Sequence, residues 1–247
     1  MADLRIGTAG WSIPRAVADA FPGDGTGLQR YASRFEAAEI NTTFYRPHKP
    51  QTYERWAETT PDGFRFAVKA PKAVTHAARL VDSKPAMAAF LAETSALGDK
   101  RGPVLVQLPP SLALDEPVAA RFFDEVRSLY AGPMACEPRH ASWFTPEADA
   151  LLSAHRVARV AADPARHPDA GRHGGWSGLR YWRLHGSPDM YRSGYSEEFL
   201  AQLAQTLGRE PEVERWCVFD NTTLGAAARD ALALQAMTAS APISPSD

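Results

Sequence analysis

Seven short segments of this chain begin apolar and end polar, and the polar residues gather at the downstream end each time. The segments close on Glu39 and Asn41, on Lys69, on Gln107, on Glu137 and Arg139, on Asp163, on Arg183 and His185, and on Asp220 and Asn221. If they are parallel strands, all of these groups converge on one rim. Alternation along a strand puts Glu39 with Asn41, Glu137 with Arg139, and Arg183 with His185 on common faces. Burying charges without partners is costly, so such a ring marks a site rather than an ordinary packed core.

The segments recur in a regular order. Strands are predicted over Leu4 to Gly7, Ala37 to Asn41, Phe64 to Lys69, Val104 to Leu108, Met134 to Glu137, Val157 to Ala161, Leu179 to Leu184 and Trp216 to Phe219. Helices are predicted over Leu28 to Phe35, Gln51 to Glu58, Lys84 to Leu97, Pro117 to Tyr130, Pro146 to Ala154, Glu197 to Leu207 and Thr223 to Met237. Pro117 and Pro146 suit first helical turns, while Gly98 and Gly132-Pro133 stop helices. Strand-helix alternation forces right-handed crossovers and a parallel sheet, and about eight units close a TIM-type (β/α)8 barrel. A doubly wound open sheet is the rival, but Gly7 to Gly10 lacks the spacing of a dinucleotide turn. Between Asp163 and Gly178 there is no helical period, so a long irregular loop is expected in place of the sixth helix. The 247 residues suit one barrel domain over residues 1–239, with a flexible polar tail over 240–247.

Composition limits the function classes. A chain that is 45% hydrophobic and 23% charged, with a net charge of -2, has no global attraction to nucleic acid or membrane. Cys136 and Cys217 lie in apolar strand runs and are expected as buried, reduced thiols. No basic and apolar leader precedes Leu4, and no apolar run approaches the ~20 residues that cross a bilayer, so a cytoplasmic location is expected.

The rim suggests acid-base chemistry on an anion. Lys69, Arg139 and Arg183 are candidates for holding the anionic group, arginine's fork matching carboxylate or phosphate. Glu137 and His185, with Lys69 and Asp220, form the candidate catalytic set, and His185 is favoured as general acid or base because it titrates near neutrality. His140 ranks second and points away from Arg139. His76 lies in a loop that can reach the rim, and His167 and His173 are expected in solvent. Asn41, Gln107 and Asn221 are candidates for hydrogen bonding to hydroxyl groups, and Glu39 for a further ligand contact. Among the aromatics near strand-following loops, which include Trp11, Phe44 and Tyr195, the residues Tyr45, Trp143 and Tyr191 are expected to contact ligand. Trp56, Trp182 and Trp216 are expected in the core.

The alternative for the same residues is a structural ion-pair lattice closing the barrel top. Two loops could bind phosphate through backbone amides, His185-Gly186-Ser187 and Asn221-Thr222-Thr223 with Gly225, unless Thr222 or Thr223 only caps a helix. No cofactor is predicted. A divalent metal on Glu39, Glu137, His185 and Asp220 is the weaker option, because no paired ligand spacing is present. There is no nucleophile elbow, P-loop or zinc-finger pattern either.

These motifs resemble the YecE-like family, labelled domain of unknown function 72. GTAGW (Gly7 to Trp11), EINTTFY (Glu39 to Tyr45), FRFAVKAPKAVTH (Phe64 to His76), GPVLVQLPPS (Gly102 to Ser111), EPRHASW (Glu137 to Trp143), RLHG (Arg183 to Gly186) and DNTTLGAAA (Asp220 to Ala228) fall in the family's order. The resemblance implies a TIM-type barrel and does not bring a reaction. Against the family pattern, Pro138 replaces an aromatic, Asp220 replaces the first of two asparagines, and the aromatic stretch after Trp11 is reduced to Ile13 and Pro14. The leading expectation is an enzyme for a small phosphorylated or carboxylated ligand. A nucleic-acid binder or metal-assisted phosphodiesterase using the same cations and aromatics is the alternative, and a non-catalytic sensor or scaffold the third. Oligomeric state is left open.

Overall fold

The computed structural model describes residues 2–21 and 23–240, without the side chain of Ser240. Its strands are β1 (Leu4–Ala9), β2 (Ala37–Ile40), β3 (Arg65–Lys69), β4 (Arg101–Gln107), β5 (Met134–Glu137), β6 (Val157–Arg159), β7 (Ala161–Asp163), β8 (Gly174–Gly175), β9 (Leu179–Leu184) and β10 (Glu214–Phe219). Its α-helices are α1 (Gly27–Ala32), α2 (Pro50–Glu58), α3 (Lys84–Thr94), α4 (Glu116–Leu129), α5 (Pro146–Ala154), α6 (Glu197–Leu207) and α7 (Ala226–Ser240). The tail expected over Ser240 to Asp247 lies outside the described residues, apart from Ser240 at the end of α7.

The sheet order β7-β9-β10-β1-β2-β3-β4-β5-β6-β8 describes a TIM-type barrel. β6 and β7 are halves of one extended segment that changes partner at Val160. β6 pairs in parallel with β5, β7 pairs in parallel with β9, and the Val160 amide donates to the Cys136 carbonyl at 2.9 Å. This switch joins the two ends of the sheet. The other strand pairs around the ring are parallel, as helical crossovers require. The added β8 runs antiparallel to β6.

No α-helix separates β7 from β9. A short turn at Pro168–Gly171 and β8 fill the interval, held by Arg159. The buried Arg159 guanidinium donates to Asp149 Oδ1 at 2.7 Å and to the carbonyls of Asp169 and Arg172 at 2.9 and 3.0 Å. Polar residues cap several of the remaining helices. Thr26 and Gln29 form a reciprocal capping box on α1, and Asp115, Thr145 and Ser196 accept from the first turns of α4, α5 and α6.

Two apolar layers result from strand alternation. Outward residues such as Phe66, Val106, Cys136 and Phe219 pack against helical residues including Phe90, Phe122, Leu203 and Leu234. Inside the barrel, Ala37, Ala67, Ala135 and Ala158 leave room that Trp216, Tyr181, Leu105 and Leu179 fill. Both cysteines are buried and free, and burial pushes their thiols above the usual range. Among the described residues no helix is long and apolar enough to cross a membrane.

At Gly7 the chain passes too close to β2 for a side chain: an added Cβ would overlap the Ala37 carbonyl oxygen, a backbone atom. Gly7→Ala is therefore expected to destabilise the protein by about 1–3 kcal/mol in urea unfolding, because β1 must move off β2. A cost within about 0.5 kcal/mol, the range of neutral surface changes, would contradict this close approach.

Candidate functional site

The barrel interior becomes polar from its middle upward. Tyr181 stacks on Trp216, with ring centroids 6.1 Å apart, and donates its hydroxyl to Glu39 Oε2 at 2.9 Å. Above it Arg183, fully buried, forks onto Glu39 with Nε to Oε2 at 3.0 Å and Nη2 to Oε1 at 2.8 Å. The same guanidinium donates from Nη1 to Glu137 Oε2 at 2.6 Å and from Nη2 to Asp220 Oδ2 at 3.1 Å. Carboxylates from the ends of β2, β5 and β10 thus meet on one arginine of β9.

Two further cations complete the lattice. His185 lies between two carboxylates, with Nδ1 3.1 Å from Asp220 Oδ2 and Nε2 3.1 Å from Glu137 Oε1. An imidazolium satisfies both contacts with two donors. Arg139 donates from Nε to Glu137 Oε1 at 3.0 Å and from Nη2 to the Tyr191 hydroxyl at 3.1 Å. Three carboxylates are thereby set against Arg183, His185 and Arg139.

Titration follows from this arrangement. Burial opposes charge on Glu137, yet Arg183, Arg139 and His185 outweigh it and hold its carboxyl well below the usual range. Asp220 is lowered in the same way by Arg183, His185 and Lys69 against its burial. Burial alone would lower His185, but Glu137 and Asp220 raise it.

Lys69, at the end of β3, is the cation left over. It is 5% exposed, and its Nζ sits 4.2 Å over the Phe44 ring. Among the described residues no carboxylate oxygen comes within ion-pair distance of it. Burial and then Arg183 lower the ammonium to about 8, against the pull of Glu39, Asp220 and Glu137. The Lys69 carbonyl accepts from Thr43 Oγ1 at 2.6 Å, fixing the strand end. His76 packs edge-on against Phe44 at 5.0 Å, next to this position as its loop suggested.

The structure thus brings Glu39, Lys69, Glu137, Arg139, Arg183, His185 and Asp220 together, and the lattice alternative describes much of this layer. Gln107 is 6% exposed at the end of β4, and Asn41 Oδ1 is buried without a partner. Tyr191, at φ +68°, has its ring 5.4 Å from that of His185 and its amide on the His185 carbonyl. Tyr45 is 74% exposed and reaches the ring only through edge contact with Phe44.

Several expectations are corrected. Arg183 is saturated by carboxylates and is not free to hold an anion. Glu39 is fully buried under Arg183, out of reach of a ligand. Both Glu137 oxygens are engaged, by Arg183 on one side and by Arg139 and His185 on the other. Trp143 is 1% exposed with its Nε1 donating to the Leu112 carbonyl, so it packs in the core. Asn221 donates to the Ser193 carbonyl and to Asp230, tying a loop to α7. Asp163 faces outward, lining a cavity of about 220 Å³ beside α6 where the sixth helix is absent.

The histidines and loops also differ from expectation. His140 Nδ1 accepts from the Ser142 amide and caps a turn. His173 is not in solvent: it meets Trp182 edge-on at 4.2 Å, and burial lowers it to about 4. Several of the amides expected to cradle phosphate are used internally, Gly186 by the Tyr195 hydroxyl, Thr223 by the Tyr191 carbonyl and Gly225 by the Thr222 carbonyl. Neither Thr222 nor Thr223 caps α7, which starts at Ala226. Among the described residues no group of His, Cys, Asp and Glu is arranged to hold a metal, since Arg183 fills the space between the carboxylates. Tyr181 went unnoticed in the sequence, although alternation puts it on the face of Arg183 and His185.

A cavity of about 540 Å³, largely apolar, lies outside the ring between the loop after β2 and α3, and Phe44 separates it from Lys69. Beside Glu137 and His185, under Arg166 and Met190, only about 10 Å³ remains, room for one water.

Arg183→Leu would leave three buried carboxylates without their shared partner, and is expected to cost about 3–5 kcal/mol in denaturant unfolding at neutral pH. Because Glu137 and Asp220 are lowered on folding, their stabilisation is complete above about pH 4.5 and is lost as pH falls toward the folded values. The variant should lose stability less steeply below that pH, its carboxyls already holding protons. A cost under about 1 kcal/mol with an unchanged acid slope would contradict the lattice.

Comparisons with known proteins agree with this architecture. The family model described as "Protein of unknown function DUF72" matches residues 5–246. The chain is 34% identical over 142 residues to UPF0759 protein YecE of Escherichia coli (strain K12), covering 57% of this chain and 50% of that protein. It is 31% identical over 149 residues to UPF0759 protein YunF of Bacillus subtilis (strain 168), covering 58% and 53%. The matched part spans about half the length of these curated relatives. A DUF72 family protein from Thermotoga maritima MSB8 superposes with a TM-score of 0.78 at 26% identity, over 95% of this chain and 98% of that one. One from Enterococcus faecalis V583 gives 0.79 at 20% identity, over 99% of both chains. With the family match running through every strand of the barrel, the chain belongs to the DUF72 family.

Proposed function

We propose that this protein is an enzyme that acts by acid-base catalysis on a small carboxylated or phosphorylated substrate at the mouth of the barrel. The observation that carries this reading is Lys69, an ammonium without an ion-pair partner among the described residues, beside a lattice whose other charges balance. With His185 charged, the layer holds an excess of positive charge in surroundings that water screens poorly, which attracts an anion. Lys69 and the outer edge of Arg139 would contact the anionic group, since the inner edge of Arg139 is committed to Glu137 and Tyr191. His185 is the proton donor, kept charged by two carboxylates, and Asp220 is the acceptor. Its side chain is 7% exposed, against 1% for that of Glu137. Asn41 and Gln107 would bind hydroxyl groups on the opposite side.

Thermal unfolding with pyruvate, malonate, glycerol 3-phosphate or inorganic phosphate tests this reading. An anion at about 100 times its Kd stabilises by about 2.7 kcal/mol, which raises Tm by about 5–10 °C in a protein of this size. The shift is expected to disappear in Lys69→Met and to shrink in Arg139→Gln. No shift with any of these anions in the folded protein would contradict the reading. So would a larger, steeply salt-dependent shift from a single-stranded oligonucleotide, which would favour a nucleic-acid ligand.

A further inference from the structure

Lys69 differs from the arginines of the ring in chemistry as well as in pairing. A guanidinium keeps its proton at any accessible pH, whereas a lysine that loses one becomes a nucleophile. Three features of its setting favour that reaction. Lys69 is buried, 5% exposed, with Nζ 4.2 Å over the Phe44 ring, and burial takes from the ammonium the water that would solvate its charge. No carboxylate among the described residues pins it as an ammonium, because Arg183 has taken Glu39, Glu137 and Asp220. A proton donor and acceptor, His185 and Asp220, stand in the same ring, 3.1 Å apart, and the Lys69 charge is among those that hold the Asp220 carboxyl low.

We propose that Lys69 is a nucleophilic amine that forms an iminium with a small aldehyde or ketone carrying a carboxylate or phosphate. This rests on the anion-binding reading above and adds the substrate's carbonyl. The neutral Nζ attacks the carbonyl carbon, forming a C–N bond, and the carbonyl π pair moves to oxygen, which takes a proton from His185. Asp220 removes a proton from nitrogen, giving the neutral carbinolamine. It then returns that proton to the hydroxyl, which leaves as water while the nitrogen lone pair closes the C=N bond. Overall, amine, carbonyl and one proton give iminium and water, and hydrolysis reverses the sequence. With the ammonium lowered to about 8, about one molecule in ten carries the free amine at pH 7, so the resting site attracts the anion and still supplies the nucleophile.

Borohydride reduction of the full-length chain in the presence of pyruvate, dihydroxyacetone phosphate or uncharged propanal, followed by peptide mass mapping, tests the proposal. A charged probe is expected to label Lys69 at least about tenfold faster than the exposed Lys72, and Lys69→Arg to abolish the label at that position. The rate should rise with pH to a midpoint near 8. Labelling of Lys72 with Lys69 untouched, in a sample whose Tm the same probe raises, would overturn the amine's role and leave the anion reading standing. Failure of both label and Tm shift would overturn the two together. Propanal labelling Lys69 as fast as the charged probes would overturn the substrate class proposed here.

Discussion

One guanidinium organises the open end of this barrel. Arg183 takes carboxylates from the ends of three strands, and a partner removed from such a buried group leaves charge that the interior cannot solvate. The strand ends are therefore constrained to meet. His185 and Arg139 bring the lattice to balance, and the balance leaves Lys69 as a cation without an ion-pair partner among the described residues. The lattice positions the site, and the ammonium beside it gives the site its chemistry.

The floor under Arg183 follows from volume. Alanines on β2, β3, β5 and β6 leave a gap that Trp216 and Tyr181 fill, and the Tyr181 hydroxyl fixes Glu39 from below. Packing thus orients the carboxylate that receives the arginine's fork. At the other end, Arg5 lies over Trp216 and donates to the Gly63 carbonyl, closing the bottom. Asp220 supplies the third carboxylate. The asparagine of the family pattern would carry no charge there, leaving His185 one anionic partner instead of two.

The barrel was legible because a strand's two-residue period and the order of strand and helix are local properties of the sequence. The same period brought Glu137 with Arg139, and Arg183 with His185, to one rim, and it marks the interval without a sixth helix. It did not show which of these groups spend themselves on one another. Arg183 reads as an anion holder until three carboxylates are seen around it, and Glu137 as a free carboxylate until both its oxygens are seen to be engaged. Beyond strand ends the period is lost. Trp143, Asn221, His140 and His173 each turn inward to a carbonyl, an amide or a ring that lies far away in sequence or in an unpredicted turn. Asp163 fails for a different reason: it sits on the outward parity of its strand, and the gap left by the missing helix exposes that face.

The isolation of Lys69 can be read directly at its nitrogen. Nuclear magnetic resonance titration of the lysine side chains, with the Lys69 signal assigned through Lys69→Arg, is expected to show Nζ losing its proton with a midpoint near pH 8. A midpoint at or above the ordinary lysine value of 10.5 would mean that a carboxylate holds the ammonium after all. The separation of a balanced lattice from an unpaired amine would then be wrong.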